Sequence, residues 1–187
     1  MQKNNSSDNN VVIENLIHLI EKGNAHASLD KALQDMPFSL LGEKPGKLPY
    51  SIWQLTEHIR IAQWDILEFS KNANHVSPKW PDEYWPTETK PLSEAAWKKC
   101  VGAIKSDRKK FTGLIKNAGN DLYKPFKNGD GQTLLKEALV LADHNSYHAG
   151  EIIIIRKILG AWKSNTHAGC QTYKRVMGEQ SNLKRRL

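Results

Sequence analysis

Little in this sequence supports a disulfide framework, a membrane span or an export signal. Its two cysteines, Cys100 and Cys170, form no CxxC pair, which leaves a reducing compartment as the economical reading and gives neither a catalytic role. No stretch approaches the run of about 18 to 20 apolar residues that a membrane helix requires. The first ten residues, MQKNNSSDNN, lack the apolar core of a signal peptide. A cytoplasmic location without a membrane partner is therefore expected.

Positive charge is also scarce where a nucleic acid would need it. Of the net +7, residues 163–187 supply +5, through Lys163, Lys174, Arg175, Lys184, Arg185 and Arg186 against Glu179, which leaves +2 for the rest. A body this close to neutral offers no basic groove to a phosphate backbone and no aromatic platforms beside one, so nucleic acid is not an expected partner. The tail reads as a solvated extension rather than a docking arm. With 187 residues, 39% of them hydrophobic, the chain is long enough for one buried core and short for two. One domain over residues 1–162 followed by a basic extension, 163–187, is the expected organisation.

What the sequence does contain is helical periodicity, in four segments. The first spans 11–36, opened by polar residues 8–10 and closed by Pro37; Val12, Leu16, Leu19 and Leu33 form a stripe that Gly23, His26 and Asp30 complete. The second begins at Ser51, which stands three residues before Gln54 in the spacing of a capping box. Ile52, Leu55, Ile59, Ala62, Ile66 and Phe69 then mark one buried face, and His58 and Asp65 fall roughly 60 to 80° from its centre. The third runs from Ser93 to Gly119 with Trp97, Val101, Ile104, Phe111 and Ile115 on one side, and offers packing without obvious chemistry. The fourth starts after Thr133 and ends near Leu159, with Gly160 as its stop.

Between the second and third segments lie residues 71–92, KNANHVSPKWPDEYWPTETKPL, with four prolines and no periodicity. A link this long is unusual between adjacent antiparallel helices and suits a crossover joining two parallel ones. Trp80, Tyr84 and Trp85 have two readings, as pins that fasten the crossover or as an aromatic lid over a ligand pocket.

In the fourth segment Glu137, Leu141, His144, His148, Glu151, Ile155 and Leu159 recur at threes and fours on one row. His144 and His148 therefore stack one turn apart and can reach the same point in space. Seven histidines in 187 positions would give such a spacing by chance about a quarter of the time, so the stripe rather than the spacing carries the inference. Two buried imidazoles leave four ring nitrogens to satisfy, by hydrogen bonds or by a metal. Asn145 follows His144 where a zincin has its glutamate, and no ExxH motif is present, so neither a zincin nor a di-iron bundle fits. A third ligand must come from elsewhere, His58 first and His26 second; His18, His75 and His167 read as exposed or in loops.

The chain resembles the DinB-like family of metal-dependent enzymes, which is unrelated to the DNA polymerase sharing that name. The similar stretches are NAHASLDKAL, LPYSIWQLTEHIRIAQWDILEFS, SPKWPDEYWP and GQTLLKEALVLADHNSYHAGEIIIIRKILGAW, together within about residues 11–162. The last is the most specific, combining the histidine pair, Gly150 and the LG helix end. The resemblance implies an all-α, up-down-down-up four-helix bundle, often a homodimer, with one metal bound by a histidine of the second helix and two of the fourth. Those positions are His58, His144 and His148, the three that the stripes select. The extension from Lys163 has no counterpart in the family pattern.

Three neutral imidazoles leave a divalent ion near +2 with an open coordination position, where a bound water or thiol is activated. Zinc or nickel suits such a donor set. Family members include thiol S-transferases and a thiol-dependent isomerase as well as supposed hydrolases, so the resemblance leans toward a low-molecular-weight thiol acting on a small-molecule substrate. Glu151 is the candidate general base or partner of a ligand ring, with Asp65 and Glu137 as weaker candidates for orienting an imidazole. The competing reading is a bundle that binds a metal or small ligand in a stress response without catalysis.

Overall fold

Ser28, Ser51, Ser93 and Thr133 each end an extended stretch and accept a hydrogen bond from the backbone N–H three residues on, at 3.1 to 3.3 Å. Each cap satisfies a donor that a helix start would otherwise strand, which is worth about 0.5 to 2 kcal/mol. A helix follows every one of them. At Ser51 the box is complete, because the Gln54 side chain accepts in return from the Ser51 N–H at 3.2 Å.

The computed structural model describes the backbone of residues 5–162 and side chains from Asn9 onward; the extension 163–187, with His167 and Cys170, lies outside the described residues. The helices are α1, Asn5–Lys22; α2, Leu29–Leu33; α3, Ile52–Lys71; α4, Glu94–Asn117; and α5, Leu134–Ile158. Short 3-10 turns occupy Phe38–Leu40, Asp82–Tyr84 and Gly119–Tyr123. There is no strand among the described residues, so the fold is all-α as expected. No described helix is long and apolar enough to cross a membrane.

The single helix expected over 11–36 is two. Gly23 takes φ +66°, a left-handed conformation that suits glycine, and its N–H closes α1 on the Leu19 carbonyl at 3.0 Å. Ser28 then caps α2 afresh. The short helix is held at its end by Arg156 of α5, whose guanidinium donates to the carbonyls of Ala32 at 2.5 Å and Gln34 at 2.9 Å. A buried cation thus meets oxygens that have no partner within α2.

The long helices pack as pairs, α3 against α4 and α5, and α1 against α4 and α5, with α2 on α5. Their apolar residues make two clusters. One gathers Leu29, Leu33, Leu41, Ile52, Leu55, Ile59, Ile104 and Ile152; the other gathers Ile13, Leu16, Ile20, Ile66, Phe111, Ile115, Leu122 and Leu141. Burying each such side chain contributes roughly 1.5 to 3 kcal/mol. Between the clusters the helices turn polar: Gln63 on α3, Asp107 and Arg108 on α4, and Asn145 and His148 on α5 are all buried.

The crossover, 72–93, has one 3-10 turn and lies along α3. The cap residues themselves fasten it, Ser51 Oγ donating to the Thr89 carbonyl at 2.5 Å and Gln54 Nε2 to that of Pro86 at 3.4 Å. Trp80, Tyr84 and Trp85 are thereby brought beside His58.

Candidate metal centre

His58 lies on α3, 2% exposed, and His144 and His148 lie on α5, so the α3–α5 packing brings all three together. One ligand atom from each lies within 4.8 Å of the other two, and the ring centroids are 4.5 to 4.9 Å apart. The Nε2 atoms of His58 and His144 approach to 3.0 Å.

Two of the rings are aimed by what holds their far side. His58 Nδ1 lies 2.9 Å from the Tyr84 carbonyl, which only accepts, so Nδ1 carries the proton and Nε2 keeps its lone pair. His148 Nδ1 donates to Glu151 Oε2 at 2.6 Å, with the same result. His144 Nδ1 is buried and has no hydrogen-bond partner among the described residues.

Without an ion the close pair is joined when His144 takes the Nε2–H tautomer and donates to His58 Nε2; a divalent ion needs His144 in the other tautomer, with its proton on Nδ1. A second proton on any ring is disfavoured. Burial first, then the mutual charges of the rings, pushes His144 down to about 4; burial and the charge of His58 push His148 to about 4, and burial also lowers His58. All three are neutral at pH 7, the form that ligates. Tetrahedral zinc at about 2.0 to 2.1 Å from each nitrogen needs nitrogens roughly 3.3 Å apart; the His58–His144 pair, at 3.0 Å, is close to that, and all three ligand atoms lie within 4.8 Å of one another. The residues fit a divalent ion.

The carboxylates divide by role. Glu151 is half-buried and fastened to His148. Asp65, expected to orient a ligand imidazole, hydrogen-bonds none of the three rings: it accepts from Tyr84 OH at 2.6 Å and from His75 Nε2 at 2.7 Å. It still bears on His58, because anchoring the Tyr84 side chain fixes the carbonyl that His58 meets. Glu137 makes no hydrogen bond to a ligand ring among the described residues, and burial raises its pKa. His26, the alternative third ligand, is exposed and bonds the Ala27 carbonyl. His18 is exposed as expected, whereas His75 sits in the crossover with its ring buried against Asp65.

Aromatic rings close one side. Trp85 stacks on His58 with centroids 3.9 Å apart and planes 3° apart, and Tyr50 stacks on Trp85 at 4.0 Å and 12°. Trp80 stands 6.4 Å from His58 and is 69% exposed. The pin and the lid readings each have a residue, Tyr84 for the first and Trp80 for the second. A cavity of about 350 Å³ opens between these rings and the three histidines. Cys100 stays outside it, buried in the apolar cluster, with its thiol pushed up by desolvation and so unreactive.

The sequence singles out Tyr84 and Trp85 as pins or a lid, but not the carbonyl that meets His58, the ring stacked on it or the pairing of His75 with Asp65, because the crossover has no period to place them. Their one signal was aromatic density among prolines.

The described residues are therefore a helical protein in which two packed helices carry three inward histidines that could hold one metal ion. The sequence pattern of the DinB superfamily matches residues 24–152, well over half the chain, and the protein belongs to that superfamily. No curated protein and no solved structure matches it.

Proposed function

We propose that this chain is a metal-dependent enzyme that activates a thiol or a water for attack on a small electrophile, with His58, His144 and His148 as the ligands of one divalent ion. Zinc or nickel suits the three imidazoles. The observation that carries the reading is the convergence of three neutral imidazoles, two of which have Nδ1 held by an acceptor behind the ring so that Nε2 keeps its lone pair. When bound, such an ion supplies a Lewis acid that lowers the pKa of a bound water toward about 7 or deprotonates a thiol.

The chain's own groups prepare that chemistry. The Tyr84 carbonyl and the Glu151 carboxylate fix the tautomers of His58 and His148, and Trp85 covers one face of His58 against water. Glu151 is the nearest carboxylate hydrogen-bonded to a ligand ring, so positioning His148 is its first role; proton uptake from the activated group is the second, and makes it the catalytic candidate. The same reading takes the four long helices as an up-down-down-up bundle, the crossover joining α3 to α4, and the protein as a homodimer acting on a small molecule with a low-molecular-weight thiol.

Elemental analysis of purified protein tests it. About one zinc or nickel per chain is expected in the wild type and almost none in His144→Ala; equal content in both removes His144 from the site. Ion-loaded protein is then screened with thiols and alkylating or epoxide electrophiles. Turnover that disappears in Glu151→Gln supports the enzyme. A tightly held ion with no turnover on any pair favours the non-catalytic metal-binding bundle.

A further inference from the structure

The cavity beside the three histidines has walls whose chemistry is one-sided. Ala62, Ile66 and Val140 supply aliphatic surface, Trp80 and Trp85 supply aromatic surface, and no lysine or arginine lines it among the described residues. Its one hydroxyl and its one carboxylate are already committed, since Tyr84 OH donates to Asp65 and both Asp65 oxygens are engaged. The charged groups that bear on the rings, Glu151 on His58 and Asp143 beside His144, are carboxylates.

Two residues of this wall are exposed at a cost. Trp80 is 69% and Val140 42% open to solvent although both border the cavity. Large apolar side chains left in water around a recess of about 350 Å³, within the range of small-molecule sites, are a ligand's contact surface before the ligand arrives. An anionic group entering would give up its hydration and meet apolar walls, filled donors and negative neighbours. A neutral aromatic group gives up little, and a cationic one gains the faces of the indoles.

We infer that this cavity takes an uncharged or cationic aromatic group and turns away anionic ones, with Trp80 as the residue that sets its affinity. The inference deepens the proposed function, since it describes the part of the substrate that lies beyond whatever atom meets the ion. A donor atom carries its own charge to the ion; the walls read the remainder of the molecule.

The test uses full-length protein in zinc-loaded and chelator-treated forms, with metal content measured in each. Calorimetric titrations compare 1-naphthylmethanol, 1-naphthylmethylamine and 1-naphthoate, three probes of one shape and different charge. In the chelator-treated form, where no ion can take the carboxylate, the alcohol and the amine should bind at least about tenfold more tightly than the carboxylate, a gap of about 1.4 kcal/mol. Trp80→Ala, at an exposed position that leaves the fold intact, should weaken the alcohol and the amine by about fivefold or more at unchanged metal content. Val140→Arg should narrow the gap by strengthening naphthoate. Naphthoate binding as tightly as the alcohol to chelator-treated protein, or Trp80→Ala binding like the wild type, overturns the inference. A preserved order of probes on protein that takes up no zinc when zinc is supplied sinks the metal reading and leaves the cavity standing; zinc uptake without discrimination among probes in the chelator-treated form does the reverse.

Discussion

Between the two apolar clusters the helices carry two sets of buried polar side chains, and the sets differ in how their hydrogen bonds close. In the first, Gln63 donates to the Ile104 carbonyl at 2.6 Å and accepts from Asn145 at 3.2 Å, while Arg108 reaches Asp30 at 2.6 Å. Most of these groups are spent on one another, and the two buried acceptors left over among the described residues, Asn145 Oδ1 and Asp30 Oδ1, do not share a centre with the histidines. In the second, Nδ1 of His58 and of His148 bonds outward to Tyr84 and Glu151, His144 Nδ1 has no partner among the described residues, and the Nε2 atoms of His58 and His144 meet only each other. Burial of polar groups alone does not mark a functional site. The direction of the uncommitted lone pairs does, and that separates a strut from a socket.

The largest effect that would sharpen this contrast comes from removing the ion. If the histidine set is a socket, saturating zinc at a thousandfold excess over its dissociation constant stabilises the protein by about 4 kcal/mol, and chelator abolishes the gain. His58→Ala should melt identically with and without zinc. A zinc-linked shift that persists in His58→Ala breaks the comparison.

Next comes the strut. Gln63→Ala strands the Asn145 amide in the interior and removes the second bond to the Ile104 carbonyl, and should cost about 2 kcal/mol in urea unfolding with zinc stoichiometry unchanged. Loss of zinc in this variant would show that the two sets are one network.

Acid should divide them further. His144 and His148 titrate near 4 in the fold, below the 6.5 of an unfolded chain. As pH falls from 6.5 toward 4 the unfolded state takes up protons first, so zinc-free protein is fully stable above that window and weakens within it. At pH 5 the loss relative to pH 7.5 is about 1 kcal/mol per ring after solvent screening. A His144→Gln, His148→Gln double variant should lose that slope; a zinc-free wild type with equal stability at both pH values contradicts it.

The smallest effect lies one step out. Asp65→Asn loosens the bonds to His75 and Tyr84, and with them the carbonyl that aims His58. Zinc affinity should fall about tenfold, as when partners behind a ligand are removed, with little change in zinc-free stability. An unchanged affinity would confine Asp65 to fastening the crossover.

These contrasts also show what the sequence made legible. The α3 and α5 stripes and the serine and threonine caps are local patterns, and a period of 3.6 carried His58, His144 and His148 to one interior without knowledge of the packing. The break after Lys22 was harder, because Leu33 continued the stripe of α1 by coincidence while Gly23 and Ser28 were ending one helix and starting another. Glu151 behind His148 lay on the same stripe and was legible with it, whereas what lies behind His58 was out of reach for a different reason. The Tyr84 carbonyl and the stacked Trp85 belong to a segment whose path is set by long-range contacts, such as the bond of Ser51 to Thr89, and no spacing rule encodes those.

The oxygen that aims His58 belongs to the main chain. Exchanging the side chain at position 84 leaves that acceptor in existence, so ordinary substitution cannot delete it. Its location, by contrast, depends on how the segment from 72 to 93 is routed across the helix ends. A lengthened or shortened crossover would misplace the acceptor while every histidine remained, which makes the tuning of this centre more vulnerable to insertions and deletions than to changes of residue.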